Sequence, residues 1–278
     1  PIWRGHSDTE TLLAGFDAWG IQETIKRTVG MFAFALWCKQ THVLTLGRDR
    51  MGEKPLYYGW QGTGESKVFL FGSEIKALQT HPAFMGSINR DAVCLFMRHS
   101  CIPAPHSIYK GIFKLLPGHL LSVSLKKQDL QLLNYWSGTK IVLSGVSNKF
   151  MGTSEQAINS LESLLNETIK QQMVADVPLG TFLSGGIDSS TIVALMQAQS
   201  TKKIKTFTDS NRSAIASDHD EDPVFLARNA WHLDDAQQKN SELKFLDNPN
   251  TMLVSIVPKV YIQRDICHLR DRPTLKKR

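Results

Sequence analysis

Residues 177–190, with the sequence VPLGTFLSGGIDSS, constrain the fold of this chain more than any other segment. An apolar run typical of a short strand ends in two adjacent glycines, and a run typical of a helix continues to about Gln199. The segment KIKTFT at 203–208 has the pattern of the next strand. A helix precedes the loop, because Thr153 and Gln156 form the sequence pattern of a capping box. The order helix, strand, helix, strand predicts a parallel α/β sheet.

The two glycines follow a strand end of the kind at which parallel sheets bind ligands. At that end, backbone groups face the crevice in which ligands lie. Gly185 and Gly186 carry no Cβ, so a bulky anion can approach their backbone closely. Ser184, Ser189 and Ser190 supply hydroxyl donors, and the following helix presents unpaired N–H groups at its N-terminus. The spacing alone supports a phosphate cradle and a plain strand-to-helix turn about equally.

Asp188 is the acidic member of this group, and its carboxylate would repel a phosphate. Two interpretations remain open: Asp188 binds a Mg²⁺ that lies between the carboxylate and the phosphate, or it caps the helix. No lysine follows the glycines, so the segment differs from the G-x-x-x-x-G-K-[ST] loop, and the G-x-G-x-x-G pattern is absent as well. A cradle without lysine favours pyrophosphate over a γ-phosphate.

The first half of the chain has a different pattern, with short strand-like runs separated by turn-rich or charged residues. These runs occupy 30–38, 42–48, 55–60, 67–72 and 108–125. They predict an antiparallel, β-rich first domain. Residues 137–152 are polar and contain glycine without a sustained period, which indicates a linker.

The helix predicted to begin after Thr153 has an apolar residue at every third or fourth position, so we expect this stripe to be buried. The stripe consists of Ala157, Ile158, Leu161, Leu164, Leu165, Ile169 and Met173. In the first half, Arg48, Asp49 and Arg50 form a charged turn. A catalytic role is one interpretation of that turn, but we expect a structural ion-pair network.

The composition argues against several classes of protein. The 278 residues are 42% hydrophobic and 21% charged, as in a globular protein, and no apolar run is long enough to cross a bilayer. The net charge of +6 is dispersed except for a basic run at 268–278, which is more typical of a solvated end than of a nucleic-acid site. The four cysteines lie far apart without a C-x-x-C pair, so we expect no disulfide framework and no zinc site. These features predict a cytoplasmic protein that binds neither nucleic acid nor membrane.

Seven segments, in chain order, resemble the glutamine-hydrolysing asparagine synthetase family. The segment DVPLGTFLSGGIDSSTIVAL at 176–195 is similar to the pyrophosphate-binding loop, or PP-loop, of the ATP-pyrophosphatase superfamily in the form found in that family. The other six are similar to the family's class II glutamine amidotransferase domain. They are SDTETLL at 7–13, GMFAFALW at 30–37, RDRMGEKPLYYG at 48–59, SEIKAL at 73–78, IYKGIFKLLPGHLL at 108–121 and YWS at 135–137.

The resemblance implies an α/β (α+β) chain with two domains. Residues 1–137 would be part of an N-terminal-nucleophile-type glutaminase domain with α/β/β/α layers. Residues 138–152 would be a linker. Residues 153–278 would be a truncated parallel α/β PP-loop domain that diverges after about residue 208.

The resemblance also implies the family's reaction. ATP, with Mg²⁺, adenylates the side chain of aspartate and releases pyrophosphate, and ammonia from glutamine displaces AMP to give asparagine. The expected small-molecule partners are therefore glutamine, aspartate and ATP, and a homodimer is left open. Two alternatives remain. One is a related amidotransferase that acts on another carboxylate, of a cell-surface sugar or a peptide, and the other is a non-catalytic remnant that binds nucleotide or a partner.

The resemblance assigns roles to the loop and to one residue of the first domain. Leu183 would offer backbone groups to the adenylate. The pyrophosphate and its Mg²⁺ would be held by Ser184, Gly185, Gly186, Asp188, Ser189 and Ser190. Asp8 matches the carboxylate that binds the α-amino group of glutamine. Spacing alone makes it the N-cap of a helix running to Trp19, and one residue could serve both purposes.

The sequence departs from the family pattern at two places. The family's glutaminase uses a cysteine at the mature N-terminus, whose own α-amine acts as general base, and that residue would lie before Pro1. No catalytic residue is therefore assigned within this chain. From Thr208 the sequence TDSNRSAIASDHD replaces the family's apolar, glycine-containing segment. A reading-frame disturbance and true divergence both fit this change, and we expect the residues beyond it to be poorly ordered or to pack irregularly.

We expect the chain of 278 residues to release no glutamate from glutamine, because an internal cysteine has no α-amine of its own to act as base. A coupled glutamate assay on the purified chain tests this expectation. Glutamate release above that of a heat-denatured control would contradict it.

Overall fold

The computed structural model describes residues 8–124, 128–175, 178–208, 251–255 and 260–262. These residues belong to two structural units. The first contains the described residues up to Ser147 together with those from 251 onward. The second contains the described residues from Asn148 to Thr208.

Helices and short strands make up both units. The helices are α1 (Asp8–Arg27), α2 (Ile75–Gln79), α3 (Arg90–His99), α4 (Gly138–Ser147), α5 (Ser154–Gln172) and α6 (Ile187–Ala198). The strands are β1 (Thr28–Gly30), β2 (Ala33–Cys38), β3 (Val43–Arg48), β4 (Tyr57–Gln61), β5 (Val68–Gly72), β6 (Phe113–Lys114), β7 (His119–Ser124), β8 (Asp129–Asn134), β9 (Gly180–Phe182), β10 (Lys205–Phe207), β11 (Thr251–Ser255) and β12 (Val260–Ile262).

Antiparallel pairing organises the first unit. A five-stranded sheet has the order β11-β2-β3-β7-β8, a three-stranded sheet has the order β5-β4-β6, and β1 pairs with β12. Neighbouring strands in the two larger sheets are antiparallel throughout. The prediction of an antiparallel, β-rich first domain is confirmed.

The alternation of side chains along β2 divides them between two buried cores. Phe34 and Leu36 point to one face, where they pack with Leu12 and Phe16 of α1. Ala33 and Ala35 point to the other face. There they pack with Leu56 and Leu115 and with four aromatic side chains of the three-stranded sheet, which are Tyr58, Trp60, Phe69 and Phe71. Small residues on β2 therefore leave room for large ones opposite.

A third cluster covers the outer face of the three-stranded sheet. Leu78 of α2 packs there against Leu70 of β5 and against Ile112. The layers of the first unit thus follow the order α1, five-stranded sheet, three-stranded sheet and α2. This order matches the α/β/β/α arrangement that the resemblance implies.

The first helix extends beyond its predicted end at Trp19. Gly20, with φ 76° and ψ 166°, interrupts the helical path, and a second helical segment continues to Arg27. In that segment Ile25 is fully buried in the same core as Phe16. Glycine adopts a positive φ without steric cost, so the chain can turn here and still bury both apolar residues.

Two further findings differ from the predicted layout. Residues 138–147, predicted as linker, form the helix α4. The strands β11 and β12 pair with β2 and β1 of the first unit, although the sequence assigns 153–278 to the second domain. Apart from these two strands, the residues after Thr208, which we expect to be poorly ordered or to pack irregularly, lie outside the described ranges.

In the second unit, α5 begins as the sequence predicts. The Gln156 amide donates to the Thr153 hydroxyl at 3.2 Å, and the Thr153 amide donates to the Gln156 side chain at 2.9 Å. The predicted capping box is therefore confirmed. It satisfies two backbone donors at the start of the helix that would otherwise lack a protein partner.

The prediction that the α5 stripe is buried is wrong for most of its length. Ile169 is buried, but Ile158, Leu161 and Leu164 are 63%, 57% and 65% exposed. Near its C-terminal end α5 contacts the segment after α6, where the Gln199 side chain donates to the Asn166 carboxamide at 3.1 Å. The described sheet of this unit has only two strands, β9 and β10, which pair in parallel. It is too narrow to cover a nineteen-residue helix.

We predict that Gly59→Ala destabilises the first unit severely. A Cβ at Gly59 would lie 1.8 Å from the carbonyl oxygen of Gly111, a backbone atom that cannot turn aside as a side chain can. Overpacking of this kind costs about 1–3 kcal/mol or more. Urea unfolding measures the change. The matched control is Gly145→Ala in α4, where a Cβ has no atom within 4 Å and alanine is the better helix former. Equal stability of the two variants would contradict the prediction.

Candidate functional site

The segment from Leu183 to Ser190 lies in the second unit, between the end of β9 and the first turn of α6. The strand β9 pairs in parallel with β10, with Phe182 beside Phe207. The loop therefore leaves the sheet at the carboxyl end of the strand, the position that the sequence predicts and the one at which parallel sheets bind ligands.

Two serine hydroxyls meet inside this loop. The Oγ atoms of Ser184 and Ser189 are 3.0 Å apart. The backbone amide of Ser184 donates to the Ser189 hydroxyl at 3.2 Å, and that hydroxyl donates to the Gly186 carbonyl at 3.1 Å. Both hydroxyls lie beside the first turn of α6, so the loop gathers donors around one point.

The glycines make the turn and keep the space beside it open. Gly185 has a φ of +78°, in the left-handed region that favours glycine, and a Cβ placed there would have no atom within 4 Å. Gly186 is the residue that precedes α6, and its carbonyl accepts the Ser190 amide at 3.1 Å. The amides of Ile187, Asp188 and Ser189 follow in the first turn, where an α-helix has no intrahelical acceptors for them.

Asp188 lies in the first turn of α6 and is exposed. The interpretation that it caps the helix is wrong, because Gly186 occupies the N-cap position and Asp188 lies two residues further on, within the first turn. The carboxylate interacts favourably with the positive end of the helix dipole from its place in the first turn. Within the described residues, no group of three or more His, Cys, Asp or Glu side chains is placed to hold a metal ion. A cation at Asp188 would therefore need further oxygen ligands, such as those of water or of a bound phosphate.

The two backbone groups of Leu183 have different partners. Its amide donates to the Phe207 carbonyl at 2.8 Å, and its carbonyl accepts the Thr208 hydroxyl at 2.9 Å. A carbonyl oxygen can accept a second hydrogen bond, whereas an amide that already donates within the sheet has no second hydrogen to donate. Only the carbonyl of Leu183 thus remains open to a ligand. No role for Thr208 follows from the sequence pattern, although its place at the end of KIKTFT, opposite the end of β9, indicates that it lies near the loop.

In the first unit, Asp8 is the first residue of α1 and is partly buried. It lies within the first turn, so it is not the residue preceding the helix that an N-cap would be. An acidic side chain at this position interacts favourably with the helix dipole.

The charged turn after β3 is built by backbone hydrogen bonds. Asp49 is only 1% exposed, and its carboxylate accepts the amides of Phe32, Glu53 and Lys54 at 3.3, 2.9 and 3.0 Å. Arg48 donates to three carbonyls, those of Gly52, Lys54 and Leu115, at 2.5, 2.8 and 2.6 Å.

The expected structural role of this turn is therefore right, but the ion-pair network is wrong. No ion pair joins Arg48 to Asp49 among the residues that the structure describes. Each side chain instead satisfies main-chain groups that no strand can reach. Arg50 is also used in this way, since it donates to the Lys26 carbonyl at 2.7 Å. Burial lowers the pKa of the Arg48 guanidinium, and the group stays charged near neutral pH.

Tyr135, which directly follows β8, contacts this turn, although the sequence analysis assigns it no role. Its hydroxyl donates to the Arg48 carbonyl at 2.7 Å. Burial is the main cause that raises the pKa of Tyr135, so the phenol remains a proton donor. Its place in the YWS segment was the only signal available.

The cysteines described by the structure are unpaired thiols. Cys38 is partly buried at the end of β2, and Cys94 and Cys101 are exposed. A hydrogen bond from the Thr41 side chain is the main cause that lowers the pKa of the Cys38 thiol. Cys267 lies outside the described residues. In the described part of the chain, no helix has the length and apolar character that a membrane crossing needs.

Comparison with known proteins gives two family matches. Residues 1–136 match the model of the glutamine amidotransferase domain, and residues 160–228 match the model of asparagine synthase. The first match includes Asp8 and the charged turn, and the second includes the loop at 183–190.

Three similar proteins are named asparagine synthetase, putative asparagine synthetase and amidase. Asparagine synthetase [glutamine-hydrolyzing] 3 of Bacillus subtilis is 36% identical over 69% of this chain and 30% of its own length. A putative asparagine synthetase [glutamine-hydrolyzing] 2 of Methanocaldococcus jannaschii is 35% identical over 73% of this chain and 38% of its own length. Amidase chyE of Penicillium rubens is 31% identical over 71% of this chain and 28% of its own length. The chain thus spans about a third of the length of these relatives.

We predict that Asp49→Asn destabilises the first unit. An amide side chain replaces one of the two acceptor oxygens with a donor, which then faces a backbone amide that has no other partner. A buried donor left unsatisfied costs about 1–3 kcal/mol. Urea unfolding measures the change, and Asp17→Asn, the same substitution on the exposed side of α1, is the control. A variant as stable as that control would contradict the prediction.

Proposed function

Because the chain belongs to the asparagine synthetase-like family of glutamine amidotransferases, we propose that residues 183–190 bind the pyrophosphate moiety of ATP. The proposed overall reaction of the whole protein is the ATP-dependent amidation of aspartate by ammonia from glutamine, which gives asparagine, AMP and pyrophosphate. One observation carries the proposal. Two serine hydroxyls converge beside the open backbone of Gly185, at the start of α6.

The donor groups of the loop fit a polyanion. The hydroxyls of Ser184 and Ser189 bond to each other without ligand, and each can rotate to donate to a phosphate oxygen. The first-turn amides of α6 and the partial positive charge of its N-terminus add donors that need no side chain. Gly185 carries no side chain that would separate the anion from these groups.

Asp188 is the residue that we propose to hold Mg²⁺. A carboxylate beside two phosphate groups is repelled unless a cation lies between them, and Mg²⁺ typically binds one or two carboxylates together with phosphate oxygens. When bound, Mg·ATP supplies the activated phosphate and the pyrophosphate leaving group. The protein's part at this site is to fix the leaving group and to neutralise its charge.

Asp8 is the residue that we propose to bind the α-ammonium group of glutamine in the first unit. Asp8 is partly buried in the first turn of α1, and a charge-assisted hydrogen bond between a carboxylate and an ammonium group is stronger than one between neutral groups. Aspartate is the acceptor that the names of the relatives favour. Amidation of another carboxylate is the second candidate, because one relative, from Penicillium rubens, is named an amidase and not an asparagine synthetase.

We expect Ser184→Ala and Asp188→Asn each to weaken the binding of Mg-pyrophosphate, measured by calorimetry on the full chain. Asp188→Asn also gives a sign test. Removal of a charge about 4 Å from a phosphate is worth about 1 kcal/mol in water, or roughly fivefold in Kd. In EDTA, where no Mg²⁺ screens the repulsion, Asp188→Asn should therefore bind pyrophosphate more tightly than the parent chain.

The control is Ser163→Ala, which removes an exposed hydroxyl from α5. It should leave the Kd unchanged. A parent chain that binds neither Mg-pyrophosphate nor Mg·ATP would overturn the proposed function and favour a non-catalytic remnant. Weaker binding by Asp188→Asn both with and without Mg²⁺ would overturn the metal role alone.

A further inference from the structure

Thr208 connects the end of β10 to the start of the loop. Its hydroxyl donates to the carbonyl of Leu183 at 2.9 Å. Threonine hydroxyls most often bond to backbone groups a few residues away in sequence. This one reaches across 25 residues, from one parallel strand to the next. It adds a bond beyond the last backbone bond of the pair, in which the Leu183 amide donates to the Phe207 carbonyl.

The Leu183 carbonyl is half of a rigid group. The carbonyl of Leu183 and the amide of Ser184 belong to the same peptide plane and point in opposite directions. A bond that fixes the carbonyl toward Thr208 therefore also fixes the direction of the Ser184 amide. That amide donates to the Ser189 hydroxyl at 3.2 Å.

The conformation of the loop depends on the Leu183–Ser184 peptide plane, because Gly185, which follows, allows the backbone to rotate easily. Gly185 lacks a side chain and has a φ of +78° with open space around it. Leu183 and Ser189 are only partly buried, and the loop residues between them are exposed. Packing thus does little to fix the loop, and its hydrogen bonds must do so.

We propose that Thr208 is a positioning residue, which aligns the Leu183–Ser184 peptide plane and so holds the serine hydroxyls where a phosphate needs them. The hydrogen bonds run in series from the Thr208 hydroxyl through this peptide to Ser189 and on to the Gly186 carbonyl. Bonds in such a series polarise one another. Thr208 touches no phosphate itself. This inference rests on the proposed function of the loop.

Three variants of the full chain test the proposal. Thr208→Val removes the hydroxyl and keeps the branched shape, and Thr208→Ser keeps the hydroxyl and removes the methyl group. Thr206→Val makes the same change as the first variant two residues earlier on β10, at a side chain that is also exposed. Two properties are measured: hydrogen exchange of the Ser184 amide without ligand, and the Kd for Mg·ATP.

We expect Thr208→Val to accelerate exchange at Ser184 and to raise the Kd for Mg·ATP, each by roughly two- to tenfold, the range set by one intramolecular hydrogen bond. Thr208→Ser should restore both values, and Thr206→Val should leave both unchanged. The midpoint of thermal unfolding should be the same for all variants. A merely structural role would instead lower this midpoint in Thr208→Val without a selective effect on the Ser184 amide, and that result would overturn the inference.

The results separate this inference from the proposed function. If the parent chain does not bind Mg·ATP, the proposed function fails, and the exchange rate without ligand still decides whether Thr208 positions the peptide. Unchanged exchange at Ser184 in Thr208→Val overturns the inference, whether or not the parent chain binds. Equal effects of Thr206→Val and Thr208→Val overturn it as well.

Discussion

The buried carboxylate of Asp49 holds together the connections of the first unit. It accepts three backbone amides, while its own amide donates to the Phe32 carbonyl and its own carbonyl accepts the Gly118 amide at 2.8 Å. The loop before β2, the turn after β3 and the loop before β7 thus meet at one residue. A buried charge with this many partners is costly to disturb, because each amide left without an acceptor loses its hydrogen bond.

The order of the layers in the first unit depends on β2, whose large and small side chains alternate between the two faces of the sheet. Its large residues face α1, and its alanines face the aromatic residues of the three-stranded sheet. A strand that is buried on both faces must satisfy two packing surfaces at once. Close packing also explains why residue 59 is a glycine. Its backbone lies against the Gly111 carbonyl, and two backbone segments can touch only where no Cβ separates them.

The candidate site of the second unit depends more on backbone groups and short-range hydrogen bonds than on side-chain packing. Serine hydroxyls, first-turn amides and one carboxylate gather at the end of β9, and most of the residues that carry them are exposed. Such a site can form around a short parallel pair of strands because its donors are local in sequence. The long apolar face of α5 differs in this respect, because residues near it in sequence cannot cover it. Its exposed Leu161 and Leu164 show that a helix pattern specifies a face and not its partner.

The sequence by itself determined the parts of this protein that depend on nearest neighbours. The capping box at Thr153 and Gln156, the strand–glycine–helix order of the loop and the alternation in β2 all follow from periods and residue types within a few positions. Tertiary structure alone decided the contacts between distant segments. Among them are Arg48 with the Leu115 carbonyl, Tyr135 with Arg48, Thr208 with Leu183 and the pairing of β11 with β2. The sequence favoured an ion pair at Arg48 and Asp49 because the charges are adjacent. The fold instead turned each side chain toward backbone groups that burial had deprived of water, since an unsatisfied buried amide or carbonyl costs more than an ion pair gains.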